Sequence, residues 1–164
     1  MGLDQYLTAK FYLSSYDDKE KKIAEKVGKL FPDIDLPVER VTFNVFTWRK
    51  SNAIHSWFVE HVQEGNDNCQ EYYVDLEVLE SLLEIINKIL GVEDKRKQIL
   101  NRLDGSKMKL AKELLPTTSG FFFGDTEYDE YYFEDLENTR VMLEKILNNK
   151  EKYKELEFYY NSSW

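Results

Sequence analysis

The chain has 164 residues, 42% of them hydrophobic and 32% charged, with a net charge of −9. That balance excludes disorder and suits one folded domain over residues 1–164. The acidic sign argues against a nucleic-acid partner, and no apolar run nears the ~20 residues of a membrane span.

The single cysteine, Cys69, excludes an internal disulfide and a cysteine-based zinc site and fits a reducing compartment. No signal-peptide core opens the sequence, so a cytoplasmic location is expected. Residues 3–13 (LDQYLTAKFYL) are aromatic and β-compatible and predict a first strand. Asp17 to Leu30 is charged and helix-compatible, with Ile23, Val27 and Leu30 spaced for one face, and Pro32 and Pro37 punctuate a turn after it. From Val38 to Trp48 the pattern alternates. Val41, Phe43 and Val45 fall on one side, and Thr42, Asn44 and Phe46 on the other, as in a half-buried strand.

Ser51 is expected to cap a helix through Val62, with Ile54, Trp57, Phe58 and His61 on one face, and Gly65 to end it. Glu71 to Val74 reads as a short strand. Asp75 then caps a helix whose Leu76, Leu79, Leu82, Leu83, Ile86 and Leu90 form an apolar stripe. A charged helical segment from Glu93 to Leu115, broken near Asp104-Gly105, stops at Pro116. Residues 117–124 (TTSGFFFG) suit a short strand or a tight loop. Thr126 with Asp129 fits a capping box for a helix to about Asn148, using Tyr132 or Phe133, Leu136, Leu143 and Leu147 as its core face. LEFYYNSSW predicts a final strand. Strands at both ends and in the centre, separated by helices, define an α+β class with a mostly antiparallel sheet packed with several helices.

Four blocks resemble a family of small proteins encoded by phages and bacteria: MGLDQYL, WRKSNAIHSWFV, SGFFFG with the YDEYY that follows it, and YNSSW. The resemblance extends over most of the chain, with residues 93–115 the least similar. It implies a setting, the cytoplasm of an infected bacterium. It implies no activity and no catalytic residue.

Arg49, Lys50, Asn52 and His55 form the most informative constellation. Cations are favoured at helix C-termini, yet here two precede a predicted N-terminus, whose free N–H groups already favour an anion. Asn52 and His55 share a helical face, and Glu39 is the only acid between residues 36 and 59. The competing reading is surface cations paired with the chain's own acids. In SGFFFG, Gly120 and Gly124 would let backbone N–H groups approach a ligand, with Thr118 and Ser119 adding hydroxyls. The lysine and spacing of a phosphate loop are missing, and a short core strand is the other reading.

Residues 125–137 hold seven acids interleaved with Tyr128, Tyr131, Tyr132 and Phe133. Glu130 stands where a calcium loop needs glycine, so a calcium site is rejected. Acids suit a first helical turn, but an exposed tyrosine-and-acid face would also fit a basic partner surface. Tyr128 or Tyr132 could instead stack a base or sugar. His55 and His61 are six residues apart and face different ways, and Cys69 has no positioned base. No catalytic residue, metal or cofactor is assigned. If the last strand joins the sheet, Ser162, Ser163 and Trp164 approach Arg49 and Lys50, where a salt bridge from the α-carboxylate is the plainer alternative.

The reading these residues support is a non-enzymatic protein that sequesters a small anionic, nucleotide-derived ligand in a basic, aromatic pocket, in counter-defence. Arg49 and Lys50 would neutralise the anion, Asn52 and His55 would hydrogen-bond it, and Trp57 or Tyr132 would flank it. The first alternative is an inhibitor of a host protein acting through the acidic face 125–137. The second is a small hydrolase or transferase using His55 as general acid or base. A self-complementary aromatic surface would allow a homodimer.

Overall fold

A computed structural model describes residues 2–91, 105–120 and 122–164. Alternating apolar residues at both ends and near residue 45 of the chain build a four-stranded sheet. Its strands are β1 (Asp4–Tyr12), β2 (Arg40–Arg49), β3 (Tyr72–Val74) and β4 (Glu157–Ser163). The order is β2-β1-β4-β3 and every pairing is antiparallel. With α1 (Asp18–Gly28), α2 (Asn52–His61), α3 (Leu76–Leu90), α4 (Gly105–Leu114), α5 (Glu130–Leu147) and α6 (Lys150–Tyr153), the described residues form one α+β domain, as the sequence predicts.

Period-two alternation puts Gln5, Leu7 and Ala9 of the central β1 on the helix side of the sheet. Leu7 pairs with Phe46 on one side and Tyr160 on the other, and Ala9 with Phe43 and Phe158. Simple alternation across β2 fails at one place. Leu7 faces Phe46 but Thr8 faces Asn44, so Val45 is an extra, bulged residue. The bulge moves Phe46 to the helix side with Trp48, where their rings meet edge to face at 4.9 Å. Trp48 is buried, and its indole donates to Thr139 Oγ1 at 2.7 Å.

The stripe on α3 is buried through Leu79, Leu82, Ile86 and Leu90, with Ile89 added, and packs against α5 and α4. Asp75 caps α3 as expected. α4 ends before Pro116, and residues 93–104 of the expected charged helix lie outside the described residues. The described part of 117–124 is loop, and no helix was foreseen where α6 lies. α5 begins three residues later than Thr126 would place it. Asp129 is its N-cap and accepts from Tyr132 N at 3.1 Å, while the Thr126 carbonyl is taken by Thr117 Oγ1 at 2.9 Å. No helix among the described residues is long and apolar enough to cross a membrane.

These bonds rank the two capping candidates. Asp129→Ala should cost about 1 kcal/mol in urea unfolding, because it removes a side-chain cap. Thr126→Ala keeps the carbonyl that matters and should stay within about 0.5 kcal/mol of wild type.

Candidate functional site

β2 passes into α2 through two residues, Lys50 and the N-cap Ser51. Lys50 adopts a left-handed backbone (φ 60°), which reverses the chain direction at a conformational cost of about 1 kcal/mol for a residue with a Cβ. Its N–H donates to Leu3 O at 2.7 Å, and Leu3 N–H donates to Phe122 O at 3.0 Å. The entry to β1 thereby ties the start of α2 to the 117–125 loop. Gly124 (φ 85°) lies against Lys50 so closely that an added Cβ would stand 3.2 Å from Lys50 Cβ.

Asn52 fastens that loop. Its Nδ2 donates to the carbonyls of Phe123 (3.1 Å) and Asp125 (2.8 Å), and its Oδ1 accepts from Thr118 N at 3.0 Å. The side chain expected to bond an anion is therefore spent on the chain's own backbone. Thr117 N also donates to the Tyr128 hydroxyl at 3.1 Å, and the Tyr132 hydroxyl donates to Leu115 O at 2.8 Å. Burial, with Tyr128 adding, holds the Tyr132 phenol above its usual range.

Between α2's first residues and the start of α5 lies a cleft of about 530 Å³. One wall carries Arg49, Lys50 and Ser51. The other carries Asp125, Glu127, Asp129, Glu134 and Asp135, with Tyr131, Tyr132 and Asn138 beside them. α2 has no acid in its first turn, and Ser51 makes no side-chain capping bond. Its hydroxyl bonds Asp135 instead. Burial lifts the Asp135 carboxyl above the ordinary carboxylate range. The Ser51 bond opposes that rise, while Glu134 and Asp129 add to it. Arg49 is exposed and lies 3.8 Å from Asp4, a loose pair in water.

The other expected site residues are placed elsewhere. His55 is 1% exposed, and both of its ring nitrogens are engaged, Nδ1 with the Tyr160 hydroxyl (2.8 Å) and Nε2 with Asp67 (3.0 Å). Tyr160 donates to Gln5 Oε1 at 3.1 Å, and Gln5 Nε2 donates to Ser51 O at 3.0 Å. Burial holds the Tyr160 phenol well above its usual range, with Asp67 and Cys69 adding. His55 thus organises the interior and is closed to a ligand in the cleft. Trp57 is buried on the far side of α2, stacked on His61 at 4.5 Å, beside a separate cavity of about 120 Å³.

Ser119 and Gly120 are exposed but do not line the cleft. Gly120 lies under the Phe123 ring, where a Cβ would meet ring carbons at 2.5 Å. Tyr128 packs on Tyr132 at 5.0 Å. Ser162 is buried, and Ser163 flanks Asp4 in the sheet opposite Arg49. The Trp164 indole donates to Asp67 at 3.1 Å and its ring meets Phe123 at 6.3 Å, while Phe123 meets His55 at 5.0 Å. The three segments expected to converge do meet, around Phe123, but only the first two open into the cleft. Sequence reasoning missed Gln5, Asp67 and Asp135, whose partners are 46, 12 and about 84 residues away in the chain. Nothing local marks such pairs.

Among the described residues no group of three or more His, Cys, Asp or Glu is arranged to hold a metal ion. The chain matches no family model, and no curated protein or solved structure is similar to it.

Two outcomes follow from this geometry. Asn52→Asp sets a carboxylate against two carbonyl oxygens and removes both donors, so urea unfolding should show a loss of about 2–5 kcal/mol. A loss under about 0.5 kcal/mol would refute the clamp. For Asp135, the folded state holds its proton to higher pH than the unfolded state. Its contribution to stability therefore falls as pH rises from the ordinary value of 3.8 through the raised folded value. Asp135→Asn should be the more stable protein at neutral pH, with the difference narrowing below that window.

Proposed function

We propose that the chain binds, without transforming it, a small anionic nucleotide-derived ligand in the cleft between α2 and α5. The observation that carries this reading is the cleft's polarity. An anionic group meets Arg49, Lys50 and the N–H end of α2 on one wall. A base carries amino and ring N–H donors, and carboxylates accept from such edges. The opposite wall supplies those acceptors, and Tyr131, 75% exposed, offers a ring face for stacking. The buried state of His55 favours binding over turnover, since no general acid or base of the expected kind reaches the cleft. In the phage setting that the resemblance implies, holding such a ligand serves sequestration of a host signalling nucleotide.

A second reading rests on the acidic face 125–137, where seven acids surround Tyr131, which is exposed enough to meet a partner as well as a ligand. A basic protein surface would fit there, with strongly salt-sensitive binding.

Lys50 allows a test free of folding artefacts, because glycine tolerates the left-handed backbone better than lysine does. Arg49→Ala with Lys50→Gly should melt no lower than wild type and lose about tenfold or more in nucleotide affinity. Native mass spectrometry of protein purified from bacteria, followed by titration with a nucleotide panel, measures this. Undiminished binding in the double variant would discard the cleft, and a wild type that binds nothing in the panel would favour the acidic face.

A further inference from the structure

α5 borders two clefts. Its first turns line the polar one described above, and its last turns line a second at the other end of the sheet. There the helix layer stops short of the inner face, leaving a cleft of about 550 Å³. Its floor is the row Phe43–Ala9–Phe158, and Val45, the bulged residue, lies beside it. Met142 and Ile146 of α5 form one wall, and Tyr153 and Leu156 form another. Ala9, Phe158, Met142 and Ile146 are buried, yet Phe43 at the rim is 49% exposed. An apolar hollow of this size falls in the range of small-molecule sites.

The charge around it is the second observation. Lys145 and Lys152 stand in the lining, and among the described residues neither pairs with a carboxylate. Glu155, the one acid in this lining, is held by Lys19 at 3.1 Å. In a chain at −9, two unpaired cations beside an apolar hollow invert the local sign. Water gains little in such a hollow, a cationic or neutral apolar molecule would leave the lysines unanswered, and a compact polar anion would leave the apolar floor uncovered.

We propose that this second cleft binds a small amphipathic carboxylate, with its apolar tail against Phe158 and Ile146 and its carboxylate between Lys145 and Lys152. The site is independent of the polar cleft, since they share no lining residue.

Decanoate, kept below micelle formation, is the probe, with decyltrimethylammonium as the charge-reversed control. Calorimetry should show one decanoate per chain and a raised melting temperature, with the cationic control about tenfold weaker or undetectable. Lys145→Glu with Lys152→Glu changes two exposed side chains, so it should fold normally and lose about tenfold or more in decanoate affinity. Leu156→Trp, which narrows the hollow, should weaken binding without touching either charge. Three results would overturn the proposal: no decanoate bound by wild type, equal binding of the cationic surfactant, or undiminished affinity in the double glutamate variant. Sedimentation showing a dimer that Phe43→Glu dissociates would also overturn it, by assigning the hollow to a second copy of the chain.

Discussion

The arrangement of the site depends on one side-chain amide. Asn52 has two donors and an acceptor directed into the chain, and all are used on the 117–125 loop. The loop's backbone has no ladder to join, so without this amide the two carbonyls and the N–H of Thr118 would turn to water. With it, the loop is held beside the first turn of α2, and α5, which follows a few residues later, is delivered opposite Arg49 and Lys50. The cleft is the space left between those two helix starts. Leu3 reinforces the same junction from the other side, bonding Lys50 and Phe122 through its own backbone.

A buried polar chain fixes the layers beneath the cleft. It runs from Asp67 through His55 and Tyr160 to Gln5, and ends on the Ser51 carbonyl. Gln5 Nε2 is committed to that carbonyl, so its oxygen faces Tyr160 and needs the phenolic proton. The Tyr160 oxygen also bonds His55 Nδ1, and His55 Nε2 bonds Asp67. Each of these side chains therefore finds its partner inside the domain rather than in water. An apolar core at the same place would fold as well, but it would not fix where β1, β4 and α2 meet. Tyr160 also stacks on Phe58 at 4.1 Å, so one residue joins the polar chain to the apolar core.

The fold was legible wherever period and punctuation act locally. The stripe on α3, the Asp75 cap and the alternation in β1 and β4 depend on neighbours within a few residues, so the chain displays them directly. The β2 bulge was not legible, because an extra residue is defined by the partner strand and not by β2 itself. Asp129 displaced Thr126 as the α5 cap because the Thr126 backbone is bound by Thr117, a contact with no local signature. In the site, Arg49 and Lys50 were legible as cations at the wrong helix end. His55 was not: as a polar residue in an apolar helix it reads equally as ligand or core. Only the positions of Tyr160 and Asp67, 105 and 12 residues away, decide it.

The acid wall changes what the cations can select. At physiological ionic strength charges beyond roughly 8 Å are largely screened, so the chain's net negative charge matters less inside the cleft than the groups lining it. A bare anion that approaches Arg49 and Lys50 also approaches Asp125, Glu127 and Asp129, and the repulsion offsets part of its attraction. A ligand that is anionic at one end and rich in N–H donors at the other meets no such penalty, because each end faces its complement. The raised Asp135 carboxyl extends this logic. Bonded by Ser51 at the base of the cleft, it can be neutralised by a donor from the ligand or by a proton of its own. Discrimination under the proposed function would therefore come from the carboxylates as much as from the cations.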